Sequence, residues 1–408
     1  MNTEVVADSG TLKGAWHDYL ARIKSGDMGA LPGVLGLISL CIVFGIMSDV
    51  FLTPGNFANL LTQAASVTVI AMGLVFVLLL GEIDLSAGYA SGVCGAVLVI
   101  LITNHGYPWW IALIISIICG AILGYVIGSL VSRLGIPSFV VTLAAFLMFQ
   151  GLLLLLAGEG GTIRIEDPTI LAVQNNNLTP TLSWILFLAV SVFYVLVGLA
   201  RINSRRKAGL KSELKKLWII KTISLLALGA GAVYALNLER SNNPDLVSLK
   251  GTPFIVPVIL VLLVGGTFVL GRTAYGRHIY AVGGNAEAAR RSGINVKNIR
   301  TSAFVICSSF AAIAGMLFAS RQNSISPTTG GSSTLLYAVG AAVIGGTSLF
   351  GGKGKMRDAV LGGLVVAVID NGMGLLGYAA GVKFIVTGAV LLISAGVDAI
   401  SRRGAASN

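Results

Sequence analysis

Twelve apolar segments run through this chain, and each can span a hydrocarbon core of about 30 Å as a helix. They lie at about 31–48, 57–80, 85–103, 109–131, 137–157, 182–200, 217–237, 254–271, 301–319, 335–350, 358–376 and 384–400. Lipid offers no hydrogen bonds to a peptide backbone, so a chain with this many spans must satisfy its N–H and C=O groups within helices. The predicted class is an all-α polytopic membrane protein. Composition agrees, since 55% of the 408 residues are hydrophobic and only 11% charged, against about 25% charged in soluble domains. Three segments carry signs of a broken or re-entrant helix: 335–350 is short, 85–103 is glycine-rich and follows two acids, and Pro257 lies inside 254–271.

Positive residues are retained on the cytoplasmic side. With the N-terminus inside, the inner segments carry 22 Lys and Arg and the outer ones five. The largest inner groups are seven residues between Arg201 and Lys216 and six between Arg272 and Arg300. The expected layout is a cytoplasmic segment 1–30, a transmembrane region 31–400 with a basic cytoplasmic turn at 201–216 and a charged cytoplasmic loop at 276–300, and a cytoplasmic tail 401–408. The loop 158–181, with Glu159, Glu166 and Asp167 against Arg164 alone, has the character of an outer loop. The first apolar run begins only at Leu31, with no small-residue cleavage site behind it, so it is expected to be an uncleaved helix. The net charge of +11 is topological. It sits on short loops beside spans, and no nucleic-acid module accompanies it.

Enzyme classes fail on missing residues. No GxxxxGK[ST] phosphate loop exists, because the lysines of GGKGK at 351–355 lack both the upstream glycine and the following Ser or Thr. There is no HExxH and no dinucleotide fingerprint, a GxGxxG that opens a helix after a strand, and His17, His105 and His278 all lie at or beyond span boundaries. An aspartyl membrane protease would need two facing carboxylates, for which only Asp370 and Asp398 are nominal candidates, and Asp398 sits near a cytoplasmic end where a snorkelling or capping role suits it better. Cys41, Cys94, Cys119 and Cys307 are isolated, so neither a metal site nor a disulfide is implied.

The loop at 276–300, GRHIYAVGGNAEAARRSGINVKNIR, contains a complete short helix with both caps. Asn285 can N-cap it, Glu287 lies in the first turn, Arg290 and Arg291 lie near the last, and Gly293 can take the left-handed position that ends it. Two turns fall well below the roughly 12 to 15 residues at which an isolated helix becomes marginal in water. Packing must hold it, and the small Ala288 and Ala289 would let another surface approach closely.

Inside the membrane region the polar inventory is sparse: Gln63, Glu82, Asp84, Gln150, Asp370 and Asn371. A charged solute calls for an opposite ring of charge, whereas this set suits a neutral, hydroxyl-rich solute. Gln63, Asp84, Gln150 and Asn371 are the candidate substrate path, with simple bonding between helices as the competing role for the three amides. Asp84 lies in GEIDLSAG at 81–88, between two apolar runs, where it is the foremost path candidate and where helix capping, with Ser86 as a possible cap, is the alternative. A fainter copy of the G-x3-L-x2-G spacing occurs in GGTSLFGG at 345–352.

Four motifs in order, GEIDLSAG, GRHIYAVGGNAEAARRSGIN, AAVIGGTSLFGGKGK at 341–355 and DNGM at 370–373, resemble the permease subunits of bacterial ABC importers for monosaccharides, such as the ribose and xylose systems. The likeness extends over about 55–400. It implies a type II importer-like, ten-helix permease that forms a homodimer in the bacterial cell membrane with both termini cytoplasmic. By the same likeness it would take sugar from an extracytoplasmic binding protein, while separate cytoplasmic ABC ATPases, which carry the ATP and Mg, would drive alternating access. This chain itself would bind no cofactor. The capped helix would be the element that docks on the ATPase through Asn285, Glu287, Ala288, Ala289, Arg290, Arg291 and Gly293, with EAARRSG at 287–293 similar to the EAA-x3-G loop of such permeases. The later I-x-LP element of that loop is absent. An additional hairpin, about 182–237 with the basic turn RINSRRKAGLKSELKK, is similar to the xylose branch and makes D-xylose the first expected substrate. That basic turn also suits topology control and attraction to anionic lipid. Ribose or another sugar, an ion-coupled secondary transporter using Asp84 with Asp370, and a polytopic membrane enzyme are the alternatives.

Overall fold

The computed structural model describes residues 31–158, 160–209, 215–241 and 243–406. The segment 1–30, Glu159, the centre of the basic turn with Lys211, and the end of the tail lie outside the described residues, as does the side chain of Asp398. The chain divides into two compact units. The larger comprises Gly29–Asn176 and Pro253–Asp398, and the smaller is built on Asn177–Thr252.

Every predicted apolar segment is a helix. The larger unit contains α1 (Leu31–Met47), α2 (Pro54–Leu78), α3 (Ala87–Thr103), α4 (Trp109–Ser132), α5 (Ser138–Ala157) and α6 (Pro168–Asn175). The hairpin follows as α7 (Pro180–Lys207) and α8 (Lys215–Asn237). The larger unit then resumes with α9 (Ile255–Arg272), α10 (Ala274–Gly284), α11 (Ala286–Arg291), α12 (Val296–Gln322), α13 (Ser332–Ile344), α14 (Met356–Leu375) and α15 (Ala380–Ala406). Eight of these are long and apolar enough to cross a membrane, and four shorter apolar stretches accompany them. Two two-residue strands, β1 (Ile163–Arg164) and β2 (Ser324–Ile325), pair antiparallel beside the helices.

Local chemistry sets the starts. Thr53, Asp167 and Thr179 each precede a proline, and each accepts a hydrogen bond from the first turn of α2, α6 and α7 respectively. The proline supplies a pre-set φ where its missing N–H costs nothing. Pro257 falls in the first turn of α9 and leaves that helix unbroken. The segment expected at 335–350 is instead α13, 13 residues long and ended at Gly345. At 1.5 Å per residue it covers roughly 20 Å, about two thirds of a hydrocarbon core.

The core of the larger unit is α2. Val69 to Leu79 are completely enclosed, although a helix this apolar could face lipid. It is surrounded by α12, α14, α13 and α9. The other axis of packing is α4 against α12, where Gly120, Gly124 and Gly128 form a small-residue stripe. A Cβ on Gly124 would lie 2.3 Å from the Phe304 carbonyl oxygen, so the two backbones are in contact. Lipid supplies no hydrophobic drive between helices, and such close approach is what dispersion requires instead.

In the smaller unit, Gly198 of α7 receives Trp218 of α8, and Gly229 of α8 receives Phe187 of α7. Beyond α8 the Glu239 carboxylate accepts bonds from the backbone N–H groups of Arg240, Ser241 and Leu249 and from the Ser248 hydroxyl. These bonds, that from Leu249 first, hold its pKa down at about 2.

Candidate functional site

The charged stretch 276–300 is more helical than a loop with one short helix. It consists of α10, α11 and the first turn of α12. Within it α11 has both expected caps. Asn285 Oδ1 accepts from Ala288 N at 2.9 Å. Gly293 sits at φ 85°, with Ile294 N donating to Ala289 O and Gly293 N to Arg290 O. That paired closure is the Schellman arrangement, and only glycine takes this φ without strain. Glu287 forms a two-pronged bond to Arg290 at 2.9 and 3.0 Å and a third to Arg291 at 3.1 Å. These guanidiniums hold its carboxyl below the usual range. Ala288 points outward, while Ala289 is buried in the body of the protein.

The same end of the bundle holds both glycine-rich breaks. Tyr280 of α10 donates its hydroxyl to Gly354 O at 2.7 Å, and Gly352 N donates to Leu79 O at 2.8 Å. A Cβ on Gly283 would lie 1.8 Å from Leu79 O and one on Gly81 3.5 Å from Phe350 O. The motif at 81–88 and its fainter copy at 345–352 therefore touch, with the end of α10 against them. Glu82 pairs with Arg300 of α12 at 3.3 Å. Asp84 is fully buried, and its Oδ1 accepts both the backbone N–H and the hydroxyl of Ser86, at 2.9 and 2.6 Å. Ser86 therefore does not cap α3, because its hydroxyl is turned back to Asp84. The other carboxylate oxygen, Oδ2, has no partner of normal geometry, and the Cys307 thiol lies near the carboxylate.

The other end of α2 is polar along one face. Asn56 and Asn371 exchange two amide bonds of 2.9 Å. Gln63 donates to Asp370 at 3.4 Å, and Asp370 also pairs with Lys383 of α15 at 3.2 Å. Arg321, in the last turn of α12, donates to Thr62 at 2.9 Å and to Asn59 at 3.4 Å. Beside these groups lies a pocket of about 40 Å³ lined by Gln63, Tyr337 and Asp370 with Val67, Val366 and Ala367 among its apolar walls.

The four path candidates thus do not form one lining. Gln63 and Asn371 share an end of α2, whereas Asp84 lies beyond its other end, roughly 22 Å from Gln63 along the helix axis to Leu78 alone. Gln150 faces outward from α5, apart from both groups. Sequence reasoning missed Asn56, Asn59 and Thr62. Their i, i+3 and i+6 spacing from Asn56, joined by Gln63 at i+7, is a signal of one shared helix face. Nothing in the sequence pointed to Tyr337, Lys383 or Arg321.

A family described as "branched-chain amino acid transport system / permease component" matches residues 56–395. The chain belongs to this permease family. The permease is 34% identical to the xylose transport system permease protein of Escherichia coli (strain K12) over 383 residues, 93% of this chain and 94% of that protein. It is 33% identical over 387 residues to the xylose transport system permease protein of Haemophilus influenzae, covering 94% of this chain and 99% of that one. It is 29% identical over 373 residues to the ribose import permease protein of Bacillus subtilis (strain 168), covering 91% and 94%. No solved structure gives a significant match to the permease. With its apolar helices, this kinship makes it a multi-pass membrane protein and the permease component of a transport system.

Proposed function

We propose that this permease is the membrane-spanning subunit of an ATP-driven importer of D-xylose or a related monosaccharide. The observation that carries the reading is the near full-length relationship to the xylose permease proteins, at higher identity than to the ribose permeases. In this reading the working unit is a homodimer that receives sugar from an extracytoplasmic binding protein. Two cytoplasmic ATPase subunits bind ATP and Mg. The orientation drawn from the basic loops then puts α11 in the cytoplasm and the Asn56–Gln63 end of α2 outside.

The contacts around α11 support its role as the ATPase-docking helix. Its outer face offers Ala288, Glu287, Arg290 and Arg291, while Ala289 roots it in the body of the permease. Behind it α10 abuts Leu79, and Arg300 pairs with Glu82. A displacement of α11 therefore reaches both ends of the break after α2. Because α2 is a single helix of 25 residues, movement at that break is delivered to the polar pocket at its far end. The sugar route is assigned to the Gln63 and Asn371 end, where hydroxyls lose water to polar side chains instead of to bare hydrocarbon, a loss worth about 1 to 3 kcal/mol for each hydroxyl left uncompensated. Asp84 becomes a fastening of the break.

Labelled D-xylose uptake in cells carrying the permease, its ATPase and its binding protein tests the reading. Uptake should vanish with an inactive ATPase and persist in the presence of ionophores. Uptake lost to ionophores and indifferent to the ATPase would replace it with ion-coupled transport. For orientation, single cysteines at Asn176 and Ala288 should label from opposite sides of the membrane, Asn176 from outside; labelling of Ala288 in intact cells by an impermeant reagent would reverse the assignment.

A further inference from the structure

The pocket at the Gln63 end of α2 holds an arrangement that interhelical bonding alone does not account for. Asp370 extends from α14 with one carboxylate oxygen on Lys383 of α15 and the other on the Gln63 amide nitrogen. The Gln63 carbonyl oxygen is buried and lacks a hydrogen-bond partner. An unpaired acceptor in such a place is costly unless something else supplies a donor. Tyr337 of α13 forms another wall, with its ring 6.2 Å from that of Phe384. The carboxylate is a third exposed and its lysine partner a fifth, so the pair is accessible, not sealed in the core. With Lys383 held on Asp370, the pocket volume of about 40 Å³ has room for two or three waters.

We propose that Asp370, Gln63 and Tyr337 form a recognition site for the hydroxyls and one face of a neutral sugar, and that Lys383 occupies the Asp370 carboxylate while the site is empty. The proposal rests on the monosaccharide reading above. The chemistry matches this ligand class: a carboxylate accepts from adjacent hydroxyls, the free Gln63 oxygen accepts another, and an aromatic ring covers the apolar C–H face. A neutral sugar brings donors without charge and so can take the place of the ammonium group at Asp370. It leaves Lys383 free to turn toward water on its flexible stem.

The test compares D-xylose uptake by the complete importer for four forms: wild type, Gln63→Leu, Asp370→Asn, and the charge reversal Asp370→Lys with Lys383→Asp. Each rate is normalised to permease in the membrane. Asp370→Asn should lower uptake at least tenfold. The charge reversal keeps an ion pair and should retain the thermal midpoint of the wild type, yet should remain at least tenfold slow, because the carboxylate now stands on α15. Uptake restored to within twofold by the reversal would mean that the pair is only a structural strut and would overturn the site. Gln63→Leu carries no charge change, should fold normally, and should alter the ratio of D-xylose to ribose uptake by at least threefold; an unchanged ratio at full rate would likewise overturn the site. Wild-type permease that takes up no monosaccharide would instead remove the importer reading, and the proposal with it.

Discussion

The two ends of α2 show opposite ways of placing a carboxylate in a membrane protein. At the Leu79 end Asp84 is enclosed, and its bonds go to its own near neighbour Ser86. Around it the breaks approach one another so closely that backbone carbonyls lie where side chains would be. At the Gln63 end Asp370 is partly open, and its partners come from two other helices. A carboxylate bonded within its own turn fixes a shape. One held by a long lysine beside a pocket can exchange that partner for another. Sequence position alone ranks Asp84 first, since it lies in a motif between two spans, yet its surroundings leave no room for a ligand.

The harshest trial of the tightly packed end is Gly283→Val. The added Cβ would sit 1.8 Å from Leu79 O, a backbone atom that no rotamer change can move. Overpacking typically costs about 1 to 3 kcal/mol when side chains can shift, and here they cannot. Little folded permease should be recovered from the membrane, as judged by thermal unfolding and size-exclusion profile in detergent. A monodisperse product with wild-type stability would show that this end is looser than the packing implies.

Next comes Ala288→Arg. Ala288 is exposed and its neighbour Ala289 is buried, so bulk at 288 should leave the fold intact and obstruct only the docking face. ATPase stimulation by the sugar-loaded binding protein should fall at least tenfold while membrane levels stay normal. Retained stimulation together with normal co-purification of the ATPase would remove α11 from that role. Gly293→Val should give a milder version, because a β-branched residue at φ 85° costs about 1 to 2 kcal/mol and frays the helix at one end only.

Asp84→Asn sharpens the comparison from the other side. Asparagine keeps an oxygen in place to accept the two Ser86 bonds. Uptake per folded molecule should therefore stay within about twofold of wild type, with any change confined to the thermal midpoint, where a lost hydrogen bond would count for roughly 1 kcal/mol. A tenfold fall in uptake at unchanged stability would return Asp84 to the substrate route.

What the sequence disclosed follows the range of the interactions. The proline starts of α2, α6 and α7 and the two caps of α11 are built from residues a few positions apart, so they are visible in any window of the chain. The apolar runs located every spanning helix because lipid imposes the same demand on each. Hydropathy failed at α13, since an apolar average runs straight through the break at Gly345. Arg321 and Lys383 are two of the five positive charges in the outer segments, and a charge count cannot say which way a side chain turns. Both turn to partners on other helices, and Arg321 reaches Thr62, 259 positions earlier. The bond from Gln63 to Asp370 spans 307 positions. Such pairings arise only from packing, so the pocket could not be seen until the helices were arranged.

The smallest effect concerns Glu287 and separates what holds α11 from what decorates it. Its bonds to Arg290 and Arg291 lie on the surface, where ion pairs contribute little and salt weakens them further. The caps at Asn285 and Gly293, by contrast, satisfy backbone groups that would otherwise have no partner. Because the folded carboxyl is held below its ordinary pKa, its contribution is fully present above the unfolded value of about 4.3 and fades as pH falls through the lower folded value. Across pH 5 to 8 the pairs are therefore constant, and ATPase stimulation should show no titration that Glu287→Gln removes. The same substitution should leave stimulation within about twofold of wild type in both low and high salt, while Asn285→Ala, which strips the N-cap, should reduce it more. If Glu287→Gln proved the more damaging of the two, the carboxylate would be a contact to the ATPase in its own right, and the docking face would extend from Ala288 to include a specific charge.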